Sequence, residues 1–192
     1  MLTGHGHEVC ECVESGSNLE VCIEDDERNR RCNQLNQIAN NGNWTIRMQE
    51  LRTATTGNTE ILYYGNIGNT GNMNYSSGDR IEGEPNEHGI PNHTIQNPAD
   101  SAIHNHFAGA LPVLSPGDLY SLWTWYHNNL INDTGTFIMY VTTTGNSNAT
   151  TNDDTLYALT ISDVQKFQEK GALFLSNEDA LSGLFLQKYN IN

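Results

Sequence analysis

The sequence predicts an α/β (α+β) domain in which helices flank a mixed β-sheet. Segments rich in β-branched and aromatic residues alternate along the chain with segments whose apolar residues recur at helical spacing. Two uncharged runs, residues 136–141 and 155–161, are typical of strands at the centre of a sheet. A length of 192 residues is sufficient for one domain with a substantial core.

The first half of the chain predicts one helix followed by two strands. Residues 28–39 carry apolar side chains at near-helical spacing and are followed by Asn-Gly, which predicts a helix that stops there. Residues 44–51 alternate apolar and polar side chains, and residues 59–64 are β-branched and aromatic, so both segments predict strands. The Asn- and Gly-rich residues 65–79 predict a long surface loop or the end of a hairpin.

The second half predicts a further strand and three helices around the two uncharged runs. A strand over residues 100–106 leads through a loop to a helix over residues 116–129. A capping-box pattern and a glycine stop predict a helix over residues 162–171, and helical spacing predicts another over residues 178–189. The Asn- and Thr-rich residues 142–154 predict a second surface loop or hairpin end.

Composition divides the chain into two parts. Residues 1–26 form an acidic, Cys-rich N-terminal extension, and residues 27–192 form the single folded domain. The four cysteines all lie near the start of the chain, at Cys10, Cys12, Cys22 and Cys32. Two disulfides, a second metal site shared with nearby histidines, and free thiols are all compatible with these spacings, which allow three disulfide connectivities.

The charge of the chain argues against several classes of partner. With 23 acidic and 9 basic residues the net charge is −14, which opposes binding to a phosphate backbone and predicts no nucleic-acid partner.

No signal peptide and no apolar run long enough for a membrane span is present. The start of the sequence is compatible with a segment cut from a larger secreted or cell-surface precursor, and the location and oligomeric state stay open.

The strongest functional signal is a histidine pair followed by the start of a helix. His104 and His106 end the predicted strand 100–106, and side chains two apart on a strand point to the same face. After eight residues come Ser115, a candidate N-cap, and Asp118, which then lies in the first helical turn and points back toward the loop. The two imidazoles and the carboxylate are therefore expected to converge.

Two histidines and one carboxylate form a known ligand set for catalytic zinc, which keeps an open position for water. Zinc lowers the pKa of bound water from 15.7 to roughly 7 and so makes hydroxide available at neutral pH. Ser115 and Asp118 also fit an ordinary helix start, where a serine N-cap and a first-turn acid need no metal. A zinc deaminase is excluded because no Pro-Cys-x-x-Cys follows the histidines.

This segment resembles the motif of the JAMM metalloproteases, in which a strand-borne His-x-His precedes Ser-x-x-Asp at a helix start. The His-Asn-His form is similar to that of the RadC-like bacterial branch. The resemblance implies a JAB/MPN-like fold, zinc held by His104, His106 and Asp118, and a Ser115 hydroxyl that stabilises the tetrahedral intermediate. It covers about fifteen residues and departs from the family at Phe107, where proline is usual, and in a slightly longer loop to Ser115.

The resemblance also implies an upstream glutamate that activates the water. Five glutamates precede the histidines: Glu50, Glu60, Glu82, Glu84 and Glu87. Glu60 is the predicted base, because it opens the most strand-like segment before the motif and a strand would hold it rigidly beside the metal. Glu50 is the second candidate, and the other three lie among Gly and Pro and are predicted to be loop residues.

Three functions are open to the sequence. The leading hypothesis is a zinc-dependent peptidase or isopeptidase of JAMM type that hydrolyses an amide bond in a protein or peptide substrate. The alternative is a catalytically inactive MPN-like binding or structural module in a larger secreted or toxin-like polypeptide. A secreted interaction or adhesion module with oxidised cysteines and no metal is the third, and the acidic, Asn-rich composition favours it.

Overall fold

In the computed structural model of the chain, one mixed five-stranded sheet is covered by three helices. The structure describes residues 41–69, 72–87, 95, 97–144 and 154–175. Within these residues the elements are α1 (Gly42–Ala54), β1 (Ile61–Ile67), β2 (Met73–Glu82), β3 (Ser101–Asn105), α2 (Pro116–His127), β4 (Ile138–Thr144), β5 (Asp154–Thr160) and α3 (Val164–Leu175). The predicted mixed sheet flanked by helices is confirmed.

The strand order is β2-β1-β3-β4-β5, which places β3 at the centre of the sheet. β3 pairs in parallel with β4 and antiparallel with β1, and all five of its residues are buried. α2 makes the crossover from β3 to β4 that a parallel pair requires. The predicted strand 100–106 and helix 116–129 are thus confirmed, with slightly different ends.

The predicted strand over residues 44–51 is wrong, because this segment lies in helix α1. Asn41 caps the helix, its side-chain oxygen accepting hydrogen bonds from the backbone N–H of Asn43 at 2.8 Å and Trp44 at 3.4 Å. Trp44, Met48 and Leu51 follow a helical spacing and are buried. Ile46, which an alternating strand would bury beside them, is 63% exposed.

Of the two predictions for residues 65–79, the long loop is wrong, because residues 65–67 and 73–79 lie in the antiparallel strands β1 and β2. β2 is an edge strand of mostly polar residues, and it buries Met73 and Tyr75. The Tyr75 ring packs against Gly65 of β1, where any Cβ would collide with the ring. Cross-strand packing therefore outweighs the low strand propensity of the Asn, Ser and Gly residues.

The two uncharged runs and the following helix depart from prediction in smaller ways. β4 is fully buried as expected, but β5 is an edge strand whose residues are partly exposed. α3 is capped by Asp163, whose side chain accepts a hydrogen bond from the Lys166 backbone at 2.9 Å. The helix also continues past Gly171, where the Trp123 ring of α2 packs so closely that a Cβ would collide with it.

Two apolar clusters lie on opposite faces of the sheet. One joins α1 to the side chains of alternate residues of the sheet, among them Tyr63 and Ile103. The other joins α2 and α3 to the intervening residues, among them Leu62 and Ala102. Since side chains alternate along a strand, His104 shares the face of Ala102 and points toward α2.

Several predictions fall outside the described residues. These are the extension 1–26, the four cysteines, the helices over residues 28–39 and 178–189, and residues 145–153 of the second predicted loop. The remaining ends of that loop, residues 142–144 and 154, are strand. Within the described part of the chain, the helices are too short or too polar to cross a membrane.

Candidate metal centre

Both histidines are held by the centre of the sheet. His104 pairs with Leu62 of β1 and Val141 of β4, and His106 follows β3 directly, its backbone N–H donating to the Thr142 carbonyl at 2.9 Å. This bond prolongs the parallel ladder past the end of the strand, so that the alternation of side chains continues. The two imidazoles therefore lie on one face, with ring centroids 5.2 Å apart, and both are buried.

Helix α2 brings Asp118 to the histidines. Ser115 and Asp118 form a capping box: the Asp118 N–H donates to Ser115 Oγ at 3.1 Å, and the Ser115 N–H donates to Asp118 Oδ2 at 2.6 Å. The same carboxylate reaches His104 Nε2 with Oδ1 at 2.9 Å and His106 Nε2 with Oδ2 at 3.3 Å. The cap thus fixes the carboxylate between the helix start and the imidazoles.

The loop between the histidines and the helix is tied to its surroundings along its length. The Ala108 N–H donates to the Thr55 carbonyl at 2.8 Å, and Thr143 Oγ1 donates to the Pro112 carbonyl at 3.0 Å. Phe107 is buried. The longer loop and the phenylalanine at the proline position therefore do not keep Asp118 from the histidines.

The carbonyl of Leu111 orients the ring of His106. It lies 2.7 Å from His106 Nδ1, and because a carbonyl can only accept, Nδ1 carries the proton. In the neutral ring the lone pair is then on Nε2, the nitrogen that faces Asp118. Metal-binding histidines commonly donate their other N–H to a carbonyl in this way. This contact could not be predicted from the sequence, because a backbone carbonyl in a loop carries no residue-specific pattern.

Electrostatics favour an ionised Asp118 beside a histidine that protonates readily. Burial raises the pKa of Asp118, but the charges and hydrogen bonds of His104 and His106 outweigh it, and the resulting pKa lies well below the ordinary value. Burial lowers the pKa of His106, but the hydrogen bond and charge of Asp118, the charge of Glu60 and the Leu111 carbonyl together raise it above the ordinary value.

The three side chains fit a metal ion in donor type and in spacing. One ligand atom from each of His104, His106 and Asp118 lies within 4.8 Å of the other two, and among the described residues this is the group of histidine, cysteine and acidic side chains that could hold an ion. Ligands at about 2.0–2.2 Å in a tetrahedron lie about 3.3–3.6 Å apart. The two carboxylate–imidazole distances, 2.9 and 3.3 Å, are close to that spacing.

Glu60 lies next to this group. It directly precedes β1 and is 5% exposed, and its negative charge contributes to the raised pKa of His106. Leu62 of β1 lies on the α2 face of the sheet, and alternation of side chains along the chain places Glu60 on that same face. The predicted base is thus on the sheet face of the histidines.

The other upstream glutamates lie elsewhere. Glu50 of α1 accepts hydrogen bonds from the Tyr63 hydroxyl at 2.7 Å and from Arg80 Nε at 2.9 Å, on the opposite face of the sheet. Glu82 is exposed and accepts from Arg80 and from the Thr59 hydroxyl. Glu84 and Glu87 are exposed residues after β2.

Comparison with known proteins gives no match to this chain, whether with protein-family models, curated proteins or solved structures. These comparisons therefore identify no JAMM or MPN domain.

Proposed function

We propose that this chain is a zinc-dependent peptidase or isopeptidase with a JAB/MPN-like fold, which hydrolyses an amide bond in a protein or peptide substrate. The observation that carries the proposal is the convergence of His104, His106 and Asp118 in a buried group. The charge of Glu60 acts on the same group, at His106. The net charge of −14 disfavours a nucleic acid as the substrate.

In this proposal His104, His106 and Asp118 hold the ion and leave a fourth position open for water. When bound, zinc supplies a Lewis acid that polarises the scissile carbonyl and makes water acidic enough to react at neutral pH. The protein contributes an ionised carboxylate, since the pKa of Asp118 lies well below its ordinary value. The Leu111 carbonyl also holds a proton on Nδ1 of His106, so that Nε2 is the nitrogen that binds the ion when the ring gives up its other proton.

Glu60 acts as the general base. Its carboxylate accepts one proton from the water as the water oxygen bonds to the amide carbon, which becomes tetrahedral. Glu60 then delivers that proton to the amide nitrogen as the carbon–nitrogen bond breaks, so that an acid and an amine leave. A buried carboxylate at the start of a strand is suited to this role because its position is fixed by the sheet.

Ser115 stabilises the negative charge that develops on the carbonyl oxygen. Its Oγ accepts the N–H of Asp118 at 3.1 Å, which uses a lone pair and leaves the hydroxyl hydrogen to donate. The capping box fixes this hydroxyl three residues from a proposed ligand. A positioned donor of this kind needs little reorganisation during the reaction.

Zinc content and hydrolysis, measured on the same preparations, test the proposal. We expect one zinc ion per chain, and hydrolysis of members of a fluorogenic library of peptide- and isopeptide-linked substrates. His104→Ala should lose both zinc and hydrolysis, whereas Glu60→Gln should keep zinc and lower kcat by about 100- to 10,000-fold. Zinc that stays in the His104→Ala chain, or full hydrolysis by Glu60→Gln, would contradict the assignment.

One observation favours a second candidate, an inactive MPN-like module that serves binding or structure within a larger secreted or toxin-like polypeptide. The carboxylate of Asp118 contacts both imidazoles directly, so the group is internally paired without an ion. Such a triad could serve as a structural element of the fold. Stoichiometric zinc, or none, together with no hydrolysis by the wild-type chain would favour this candidate.

A further inference from the structure

The side chain of Asn105 replaces part of the backbone ladder between β1 and β3. The regular pairing of these strands ends at Leu62 and His104. Beyond that point Asn105 Oδ1 accepts the backbone N–H of Ile61 at 2.8 Å, and Asn105 Nδ2 donates to the Thr59 carbonyl at 3.1 Å. Asn105 is fully buried. The hydrogen bonds of its amide therefore hold the segment that leads into β1, where backbone pairing with β3 has ended.

These two bonds are made to the residues on either side of Glu60. The backbone carbonyl of Glu60 itself accepts the N–H of Gly83 at 2.8 Å. The main chain of Glu60 is thus held from β3 by a side chain and from the end of β2 by a backbone bond. The point from which the carboxylate extends is fixed on both sides.

Asn105 lies between the two proposed ligands in the sequence but faces the other way. His104 and His106 point to the α2 face of the sheet, and alternation places the Asn105 side chain on the opposite face. Asn105 therefore cannot join the ligand set. An amide is suited to the position because it supplies one acceptor and a donor, which match the N–H of Ile61 and the carbonyl of Thr59.

We propose that Asn105 is a positioning residue that aligns Glu60 with the metal centre. This inference rests on the proposed function, in which Glu60 is the general base. The middle residue of the His-Asn-His sequence then connects the base to β3, the strand that ends between the two histidine ligands. Loss of the amide should misplace the base while leaving the ligands in position.

The kinetic test uses Asn105→Ala, Glu60→Gln and the double variant, each loaded with zinc. Because a misplacement of about 1 Å can cost roughly 100-fold in rate, we expect kcat of Asn105→Ala to fall by about 100-fold. KM and zinc affinity should stay within about threefold of wild type, since the ligands are untouched. In the Glu60→Gln background the Asn105→Ala change should lower kcat by less than about threefold, because Asn105 acts through Glu60.

A matched control is available at the other end of the same strand. Ser101 is also fully buried, and its Oγ donates to the Ile138 carbonyl and accepts from the Tyr75 hydroxyl, both at 2.8 Å. Ser101→Ala thus removes comparable buried bonds away from Glu60 and should leave kcat within about threefold of wild type. Asn105→Thr keeps a side chain of similar size and serves if the alanine variant does not fold. An unchanged kcat in Asn105→Ala or Asn105→Thr, or an equal loss in the Glu60→Gln background, would overturn the inference.

A second readout does not depend on activity. In the metal-free chain, amide hydrogen exchange should accelerate at Ile61 in Asn105→Ala and stay unchanged at that residue in Ser101→Ala. Crystal structures of the same variants should show the Glu60 carboxylate displaced from His106 in Asn105→Ala alone. If the wild-type chain hydrolyses nothing, the proposed function fails, and the positioning of Glu60 is still decided by these measurements: an unmoved Glu60 carboxylate would contradict it.

Discussion

Replacing Asp118 by asparagine removes the negative charge of a proposed metal ligand and keeps the shape of the side chain. The amide oxygen can still accept the Ser115 N–H, so part of the helix cap survives. What is lost is the negative charge of the carboxylate, whose Oδ1 lies 2.9 Å from His104 Nε2 and whose Oδ2 lies 3.3 Å from His106 Nε2. We therefore expect Asp118→Asn to fold and to bind zinc weakly.

The size of the effect follows from linkage between zinc binding and folding. A ligand that binds only the folded chain adds about 4.1 kcal/mol to the free energy of unfolding at 1,000 times its Kd. Loss of an outer-shell partner already weakens metal binding by about 10–100-fold, so loss of a ligand should exceed about 100-fold. The same zinc concentration would then add less than about 1.4 kcal/mol. For a chain of this length, the zinc-induced rise in Tm should shrink from about 8–16 °C to below about 6 °C.

Differential scanning calorimetry with and without zinc measures this difference. Asp163→Asn is the matched control, because Asp163 caps α3 through the Lys166 N–H at 2.9 Å and does not belong to the ligand group. This control should keep the full zinc-induced rise in Tm. A full rise in Asp118→Asn would refute the assignment of Asp118 as a ligand.

Three further predictions test the electrostatics, the proposed oxyanion donor and the corrected helix. Since the pKa of His106 is raised and that of Asp118 lowered, their contribution to metal-free stability should be complete between about pH 3.8 and 6.5. Above this pH range the stabilisation should decline as His106 loses its proton, and below it as Asp118 gains one. Denaturant unfolding measured across pH tests this, and a free energy of unfolding that rose steadily above pH 6.5 would contradict it. Ser115→Ala should lower the free energy of unfolding by about 0.5–2 kcal/mol through the lost cap, and kcat by about 100- to 1,000-fold through the lost donor. Zinc titration should show unchanged affinity, and an unchanged kcat would exclude the oxyanion role. Leu51 is buried and Ile46 is exposed, so Leu51→Ala should lower the free energy of unfolding by about 2–5 kcal/mol and Ile46→Ala by less than about 0.5 kcal/mol. Equal losses in denaturant unfolding would contradict helix α1.

Helix α1 shows why a short local pattern can predict the wrong secondary structure. Over a few residues the alternation around Trp44, Ile46 and Met48 is the same whether it belongs to a strand or to a helix. The decisive signals lie at the ends: Asn41 as the N-cap, and Leu51 one helical turn beyond Met48. A window that includes both ends would have distinguished the two structures.

The edge strand β2 could not be predicted from its own residues. Its Asn, Ser and Gly residues have low strand propensity, and the strand forms because β1 offers a partner and a place for the Tyr75 ring over Gly65. The central strand β3 was predictable because its burial and the histidine pair are encoded locally. Long-range pairing therefore determines β2, whereas the local sequence pattern determines β3.

The candidate site shows the same division. The spacing of His104, His106 and Asp118 predicts convergence, because a strand and a capped helix start have known geometry. The contacts of Asn105 with the segment before β1 and of the Leu111 carbonyl with His106 depend on how distant segments meet, and neither follows from spacing. The groups that orient a site were thus harder to predict than the side chains that form it.

The most direct test of the metal centre is a crystal structure of the zinc-soaked chain with anomalous diffraction recorded on both sides of the zinc edge. We expect one peak about 2.0–2.2 Å from His104 Nε2, His106 Nε2 and one oxygen of Asp118. An ion bound elsewhere, or an Asp118 carboxylate that still lies 2.9 Å from His104 Nε2 with no peak between the three side chains, would contradict the assignment.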